Sequence, residues 1–379
     1  MSRLPTERQS GNGAAQVTRE SDKYWVPIVA KTIDLLDCFA SELEALTLEE
    51  VVQRTHLPHT TAYRILHTLT CRGYLQQSGR RYRLNRARHR LKLGFANLCR
   101  HVSLAVEIQT SLEKAAAAAA VDLMVWDNDR DADQAIRNAE AMAREKVDIA
   151  IEFQLFEHVA PVIADVLSRA RIPLVSLVNP HHGSAYFGVD NYRAGFSAGR
   201  ALGEYAARHW RGLPDMVILL ESPRAGRTVQ SRLVGVLRGI EERLGPLTQV
   251  RIEHLDGAGA RAVSREAVDA LLRRGRRARK VLIAGINDES AIGATEAAQQ
   301  NHAGDSAIIG HGGSAEIGEI ISDPESPCIG TISFHAELYG PELLKFALPI
   351  AQGRSASPVH YVAHEFIDKN SFTRAGAGR

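Results

Sequence analysis

Residues 46–85 read LTLEEVVQRTHLPHTTAYRILHTLTCRGYLQQSGRRYRLN, and this stretch decides the fold of the first part of the chain. Thr47 and Glu50 have the spacing of a capping box, which predicts the start of a helix. The tetrapeptide HLPH at 56–59 then interrupts the helical pattern. A further helix follows, because apolar residues recur there at the spacing of one buried helical face. These apolar residues are Ala62, Ile65, Leu66 and Leu69.

The opposite face of this further helix carries side chains that can contact DNA. Hydroxyl, imidazole and guanidinium groups donate to phosphates or meet base edges, and recognition helices place their N-terminal residues in the major groove. We therefore expect a DNA-contacting set. It consists of Thr60, Thr61, Tyr63, Arg64, His67 and Thr68.

Residues 74–84 have the pattern of a β-hairpin. Ser78-Gly79 is the expected turn, and Tyr82 and Leu84 fall on the inward face. A basic hairpin of this kind is a wing that contacts DNA phosphates. The wing arginines are Arg80, Arg81 and Arg83.

Charge is distributed unevenly along the chain. Residues 54–90 contain nine arginines and neither Asp nor Glu. Residues 1–90 hold 14 Lys/Arg against 9 Asp/Glu, so the remaining residues hold 32 against 35. A basic module therefore precedes a mildly acidic one, which favours a nucleic-acid partner for the first module. The alternative is that these arginines only solvate one face of a small helical domain.

The motif LPxTTAYRxLxTLxxxGYL and the closing YRL, within about residues 25–86, resemble the winged helix-turn-helix of IclR-type regulators. The resemblance implies DNA binding as a dimer at a two-fold symmetric operator. We expect the DNA-binding domain at 23–88, after a disordered leader at 1–22. Its first helix has an apolar stripe that we expect to face the core. The stripe consists of Val29, Ile33, Leu36 and Ala40, widened by Ile28, Leu35 and Phe39.

From Leu91 onward, short apolar runs alternate with amphipathic segments of helical length. Repeated βα units predict parallel sheets covered by helices, with ligands at the carboxyl ends of the strands. The runs are too many for one small sheet, and a division after 186–190 predicts two lobes.

Five segments of this part resemble the type I periplasmic sugar-binding fold of ribose-binding proteins and LacI-type effector domains. They are GFANL, IPLVSLV, YFGVDNYRAGFSAGRAL, SRLVGVLRGI and NDESAIGA. IclR-type regulators normally carry an unrelated effector domain, so the chain looks like an exchange of modules. The expected fold is α/β: an N-terminal winged helix-turn-helix followed by a two-lobed periplasmic-binding-protein type I domain with parallel sheets at 91–379. We expect lobe 1 at about 91–190 and 311–334, and lobe 2 at about 191–310 and 335–379.

The resemblance implies ligand contacts by Asn97, Arg232 and Asp288. An arginine fork and a carboxylate would supply donors and acceptors for hydroxyl groups. As alternatives, Asp288 could cap a helix and Arg232 could form a surface ion pair. Other polar residues at strand ends could line the same cleft or be structural. They are His101, Gln154, Asn179, His181 and His311.

Two departures from the sugar-binding pattern bear on the ligand. Val178-Asn179-Pro180-His181-His182 stands where relatives often have an acid, and His311-Gly312-Gly313 replaces an Asp-containing motif. Aromatic residues after the first strand are also replaced, by Cys99-Arg100-His101. Sugars are held by carboxylates and stacked on rings, so these departures weaken the case for a plain pentose or hexose and leave a modified sugar, a polyol or another polar metabolite as alternatives.

The remaining patterns narrow the classes of function. We find no secretory signal or membrane span, no metal-type cysteine spacing, and no enzyme signature or cofactor motif. The basic run RRGRRARK at 273–280 fits a solvated helix end better than a nucleic-acid patch. We expect a cytoplasmic, homodimeric regulator that binds operator DNA and a small effector. The short connection at 85–90 predicts that closure of the lobes moves the recognition helices. A solute-binding component of a sugar transport system and an enzyme on an α/β scaffold are the alternatives.

Overall fold

The computed structural model describes residues 25–39, 44–85, 91–274, 279–301, 305–355 and 357–371. The chain divides into two compact units, residues 1–90 and 91–379. The predicted leader at 1–22 and the connection at 86–90 lie outside the described residues.

The first unit consists of short helices and a three-stranded antiparallel sheet of order β1-β3-β2. The elements are α1 (Pro27–Asp37), β1 (Ala45–Thr47), α2 (Leu48–Thr55), α3 (His59–Cys71), β2 (Leu75–Ser78) and β3 (Arg81–Leu84). The predicted capping box opens α2: Glu50 N donates to Thr47 Oγ1 over 3.2 Å, and Thr47 N donates to Glu50 Oε2 over 2.7 Å. The four apolar residues predicted for the inner face of α3 are all buried.

Two details of this unit differ from the sequence-based expectation. Helix α1 buries Leu35, but Ile28, Val29 and Ile33 are each 52% exposed, so much of the predicted core stripe faces solvent in the single chain. In the wing, Ser78 pairs with Arg81, so the connecting residues are Gly79 and Arg80, one position later than predicted. Gly79 has φ +61, a conformation that glycine adopts without the steric cost of a Cβ.

The second unit contains two six-stranded sheets. Between residues 92 and 188 its elements are, in chain order, β4 (Lys92–Asn97), α4 (Ser103–Ala118), β5 (Asp122–Asp127), α5 (Ala132–Glu145), β6 (Ile149–Phe153), α6 (Ala160–Arg169), β7 (Leu174–Leu177) and β8 (Ala185–Gly188). The following elements are α7 (Asn191–His209), β9 (Met216–Glu221), α8 (Gly226–Leu244), β10 (Arg251–Asp256), α9 (Arg261–Arg274), β11 (Lys280–Gly285), α10 (Asp288–Gln300), β12 (Asp305–Gly312), α11 (Ala315–Ser322), β13 (Cys328–Ser333), α12 (Ala336–Ala351), β14 (Val359–Tyr361) and β15 (Glu365–Ile367).

Each sheet forms one lobe. The first lobe has strand order β14-β8-β7-β6-β4-β5, with every neighbouring pair parallel. The second lobe has order β10-β9-β11-β12-β13-β15, in which only the β13–β15 pair is antiparallel. Because parallel strands bury both faces, their sequences are almost continuously apolar, as in IAIEF and KVLIAG.

The predicted lobe boundaries are wrong after residue 310. Residues 311–334, expected in lobe 1, lie in the second lobe, because β12 pairs with β11 and β13 pairs with β12. Residues 336–361 lie in the first lobe: Ser111 Oγ of α4 accepts from Gly340 N of α12 over 2.9 Å, and β14 pairs with β8. The chain therefore crosses between lobes after β8, after β13 and after β14.

Helices α7 and α8 pack unusually closely in the second lobe. A Cβ built on Gly195 would lie 1.7 Å from Arg232 O, and one built on Gly239 would lie 2.2 Å from Phe196 O. Only glycine permits the two backbones to come this close. This contact fixes the start of α7 against the part of α8 that carries Arg232.

Candidate functional site

The exposed face of α3 carries the residues predicted to meet DNA. Thr60, Tyr63, Arg64, His67 and Thr68 are exposed and Thr61 is half-buried. The Tyr63 and His67 rings stack with their centroids 6.1 Å apart. The Thr68 hydroxyl donates to Arg64 O over 2.7 Å. The face therefore presents a guanidinium beside an aromatic pair, without a described acidic residue on the helix.

The three wing arginines have different surroundings. Arg80 is exposed in the turn. Arg81 donates to Ala45 O over 2.7 Å, and Arg83 donates to Gln76 Oε1 over 2.8 Å. Arg81 thus ties β3 to β1, and Arg80 is the wing arginine least engaged by its own unit.

A cavity of about 100 Å³ lies between the two lobes of the second unit, at the carboxyl ends of the parallel strands. This volume is well below the roughly 300–1,000 Å³ of pockets for drug-sized ligands, so the cavity has room only for a small molecule. Of the residues predicted to bind ligand, three line the cavity. They are Arg232, Asp288 and His311.

Arg232 is the one arginine among the described residues that line the cavity, and only 6% of its surface is exposed. Its guanidinium donates to Ile286 O and, over 2.6 Å, to Asn191 Oδ1, while its Nε has no described partner. The Phe334 ring lies 5.0 Å from the guanidinium carbon. Burial lowers the pKa of Arg232 to about 10, because the charged form loses its hydration.

His311 lies near Arg232 and is neutral. Its Nδ1 donates to Gly285 O over 2.8 Å, since a carbonyl oxygen can only accept, and this leaves Nε2 as an acceptor without a described partner. Burial, together with the charge of Arg232, holds the pKa of His311 well below its ordinary value.

Asp288 lines the cavity, but both of its carboxylate oxygens are engaged within the second lobe. Oδ1 accepts from the Thr331 hydroxyl over 2.7 Å and Oδ2 accepts from Ser314 N over 2.8 Å. A Cβ at Gly310 or Gly312 would lie 2.5 or 2.7 Å from these oxygens, so the glycines make room for the carboxylate. Burial raises the pKa of Asp288.

Asn97 and His101 are not among the residues that line the cavity. The Asn97 amide donates to Gln109 Oε1 over 2.9 Å and to Ala105 O over 3.2 Å, and its oxygen accepts from Leu98 N over 2.8 Å. Asn97 therefore anchors the loop that leads into α4. His101 is exposed in that loop.

Gln154 and Asn179 are also absent from the lining; they form a buried polar cluster with His181. His181 Nδ1 donates to Asn179 O over 2.8 Å, and the Asn179 amide reaches Gln154 O over 3.4 Å. Gln154 Oε1 accepts from Phe156 N. Burial lowers the pKa of His181 to about 4, so this histidine is a neutral structural group.

The first-lobe wall of the cavity is mainly aliphatic. Val178 is part of this wall and has φ +69. Asn179 N donates to Leu177 O over 2.8 Å, so residues 177–179 form the rare and strained type of γ-turn. The other apolar side chains of this wall are Leu98, Val102, Leu104, Ile108, Phe153, Leu155, Leu177, Phe187 and Val189.

Eight polar lining residues were not predicted as ligand contacts: Ser103, Tyr186, Asn191, Ser222, Asn287, Glu289, Ser314 and Tyr339. Asn191 follows Asp190 in the VDNYRAG segment, so that segment could have indicated it. Tyr339 comes from α12, whose return to the first lobe the sequence pattern did not reveal. Burial raises the pKa of Tyr186 to about 12, so its phenol stays protonated.

Within the described part of the chain, no group of three or more His, Cys, Asp or Glu side chains could hold a metal ion. In the same residues, no helix is both long and apolar enough to cross a membrane.

Two lobes of parallel sheet, joined by three crossings and enclosing a small cavity at the strand ends, define a two-lobed binding protein. The family model described as the periplasmic binding protein domain matches residues 103–355. The chain belongs to that family. The model of the IclR helix-turn-helix domain matches residues 28–79, so the first unit carries a helix-turn-helix domain of the IclR type, as the sequence predicted.

Solved structures share the fold of the second unit. A periplasmic solute binding protein of an ABC transporter from Actinobacillus succinogenes 130z, with bound D-allose, is 19% identical, with a TM-score of 0.65; the match covers 75% of this chain and 99% of that one. A solute binding protein from Bacillus halodurans C-125, with bound myo-inositol, is 16% identical, with a TM-score of 0.64 and coverage of 76% and 99%. GanP, a glucose-galactose binding protein from Geobacillus stearothermophilus, is 22% identical, with a TM-score of 0.62 and coverage of 74% and 98%. No curated protein matches the chain.

Proposed function

We propose that this protein is a transcription regulator that binds operator DNA and changes its DNA affinity when a small polar metabolite fills the cavity of the second unit. The observation that carries the proposal is the presence, in one chain, of an IclR helix-turn-helix domain and a binding-protein domain with a buried, incompletely partnered arginine in its cavity. A binding protein that serves only transport has no use for the first of these. We propose domain limits of 23–88 and 91–379.

The DNA contacts divide into two kinds. The N-terminal part of α3 enters the major groove, where Arg64 reads base edges, helped by Thr60, Thr61 and the Tyr63–His67 pair. Thr68 and the arginines Arg80, Arg81 and Arg83 contact the backbone. Phosphate contacts supply affinity without sequence preference, so the wing sets the salt dependence and α3 sets the specificity.

The regulator works as a homodimer. Helix α1 exposes an apolar face made of Ile28, Val29 and Ile33, preceded by the equally exposed Val26. A contiguous apolar face of this kind is an interaction surface rather than an ordinary solvated one. A second copy of the same face is its natural partner, since two winged modules provide the half-site spacing that operators require.

The ligand favours the closed arrangement of the two lobes. In the described structure the rims already meet: Arg130 of the first lobe donates to Ala258 O over 3.0 Å, and Ala315 N of the second lobe donates to Glu107 Oε1 over 3.4 Å. A ligand held by groups from both lobes binds the closed state more tightly, and this difference in affinity shifts the equilibrium.

The ligands of the structural neighbours make a sugar or sugar-like compound the first candidate for the effector. We expect the effector to be about as large as those ligands. The protein acts in the cytoplasm, where its DNA lies, and is not an enzyme. The alternative, a solute-binding component of a sugar transport system, would leave the α3 face and the basic wing without a purpose.

The test is selection of DNA fragments by the purified full chain from a random duplex library, followed by an affinity measurement. We expect enrichment of a two-fold symmetric sequence, and a change in its affinity when the small molecules released from denatured protein are added back. Lack of any enriched sequence would contradict the proposal.

A further inference from the structure

The positive charge of Arg232 has no anionic partner in the described protein. Its two hydrogen bonds go to neutral oxygens of Ile286 and Asn191, and Nε makes none. Two carboxylates, Asp288 and Glu289, also line the cavity, but neither makes an ion pair with Arg232 in the described structure, and the Asp288 oxygens are engaged by Thr331 and Ser314. A buried charge is costly unless it is paired, so an anionic ligand group would stabilise this guanidinium more than a neutral one.

A second unpartnered atom, Nε2 of His311, specifies the opposite kind of group. This nitrogen is buried and can only accept a hydrogen bond, because Nδ1 carries the proton that is donated to Gly285 O. A ligand group that donates a hydrogen, such as a hydroxyl, satisfies it. The second lobe therefore offers a donor and an acceptor that the protein leaves unused.

The opposite wall offers the ligand few polar side chains: among its described lining residues, Ser103, Tyr186 and Tyr339 carry hydroxyls, and Tyr186 donates its own to Val189 O over 3.3 Å. Two other polar side chains of the first lobe are used elsewhere: the Asn97 amide donates to Ala105 O and Gln109 Oε1 of α4, and Gln154 bonds to Phe156 and His181. The strained turn at Val178 presents an aliphatic side chain at the position next to Asn179. A sugar hydroxyl placed against the aliphatic part of this wall would lose its hydrogen bonds with water and gain none.

We infer that the effector is a small hydroxy-carboxylate with an apolar body: its carboxylate pairs with Arg232, its hydroxyl donates to His311 Nε2, and its body lies against the aliphatic wall of the first lobe. The inference rests on the proposed function only in taking this cavity as the effector site, and it replaces a plain sugar as the ligand class. An Arg–carboxylate pair is charge-assisted and directional, so it selects strongly against uncharged analogues.

The experiment is isothermal titration of the purified full chain with matched probes. Mandelate and α-hydroxyisovalerate are compared with their amides, with phenylacetate, which lacks the hydroxyl, and with D-allose and myo-inositol. We expect at least one hydroxy acid to bind about tenfold or more tightly than its amide, phenylacetate to bind more weakly than mandelate, and D-allose and myo-inositol to give no heat.

Variants separate the role of Arg232 from a general loss of structure. Arg232→Met should abolish carboxylate binding and Arg232→Lys should weaken it, because lysine keeps the charge but not the fork. Arg227→Met removes an exposed arginine of the same helix and should bind as the parent does. Thermal unfolding of each variant shows whether it folds. If Arg232→Met does not fold, the carboxylate affinity of Arg232→Lys decides whether Arg232 holds the carboxylate.

Two results would overturn the inference: no hydroxy acid binding more tightly than its amide, or carboxylate binding unaffected by the folded Arg232 variant. Neither result bears on the DNA-binding module, because selection of a DNA sequence by the full chain is measured without these probes. Failure of the proposed function would instead appear as the lack of any selected sequence.

Discussion

The Asn191 side-chain oxygen accepts a hydrogen bond from the Arg232 guanidinium over 2.6 Å, and both residues are buried in the cavity. A neutral acceptor orients the arginine without neutralising it. Asn191→Asp places a carboxylate at the same point. We expect this variant to melt at a higher temperature, because the buried charge acquires a partner, and to bind mandelate at least about tenfold more weakly, because the protein now supplies the anion. Calorimetry and titration measure both effects. Unchanged mandelate binding would show that Arg232 does not hold the carboxylate.

The contact between α7 and α8 predicts a large penalty for a single methyl group. Gly239→Ala would place a Cβ 2.2 Å from Phe196 O, so the helices must separate, and we expect a loss of about 1–3 kcal/mol in the free energy of unfolding. Gly212→Ala is the matched control, since a Cβ there meets nothing within 4 Å. Urea denaturation of the two variants compares them. Equal midpoints would mean that the helices are not packed this closely.

A buried carboxyl group predicts how stability depends on pH. Glu152 is completely buried; Asn128 donates to its Oε1 over 2.8 Å and its Oε2 has no described partner. Burial raises the pKa of Glu152 from 4.5 to about 8. Between these two values the folded protein keeps a proton that the unfolded chain has released, so stability falls as the pH rises through this window.

Glu152→Gln removes this dependence, because the amide resembles the protonated acid and does not titrate. We expect the parent to lose stability on the order of 4 kcal/mol relative to the variant across that pH range. Other groups, including the buried His181, cancel in the comparison. Denaturation midpoints at several pH values give the result. Parallel curves for parent and variant would mean that Glu152 is ionised throughout.

Much of the fold follows from local patterns in the sequence. The capping box at Thr47, the buried positions of α3 and the parallel strands are set by short-range spacing, and the structure has them where they were predicted. The path of the chain after residue 310 depends instead on long-range strand pairing. Strand β14 belongs to the first sheet because it pairs with β8, about 170 residues earlier in the chain, and no local pattern records such a pairing.

The ligand site was harder to predict, because position at a strand end does not determine where a side chain points. Arg232, Asp288 and His311 do line the cavity, whereas the Asn97 amide donates to Ala105 O and Gln109 Oε1 of α4. A sequence shows that an asparagine is present but not which of several nearby backbone groups it satisfies. The exposed face of α1 is a similar case: a stripe that reads as core is equally compatible with burial against a second chain.

The wing makes a prediction about salt. Arg80 is exposed in the turn and free of the hydrogen bonds that hold Arg81 and Arg83, so Arg80→Ala should leave folding unchanged. We expect it to lower affinity for all duplexes alike and to reduce the slope of log affinity against log salt by about 1, the contribution of one phosphate contact. Fluorescence anisotropy over a range of KCl concentrations measures the slope. A slope equal to that of the parent would show that Arg80 does not contact a DNA phosphate.

The most direct test of the central claim, that this protein reads operator DNA through α3, is the dissociation constant of the selected duplex and of a scrambled duplex for the parent and Arg64→Ala at one salt concentration. Arg144→Ala, which removes an exposed arginine from α5 of the second unit, is the control. We expect Arg64→Ala to lose about 1–3 kcal/mol on the selected duplex, little on the scrambled one, and none of its folding stability. Equal affinities of the parent for the selected and scrambled duplexes, or an Arg64→Ala variant that still discriminates between them as the parent does, would contradict the account.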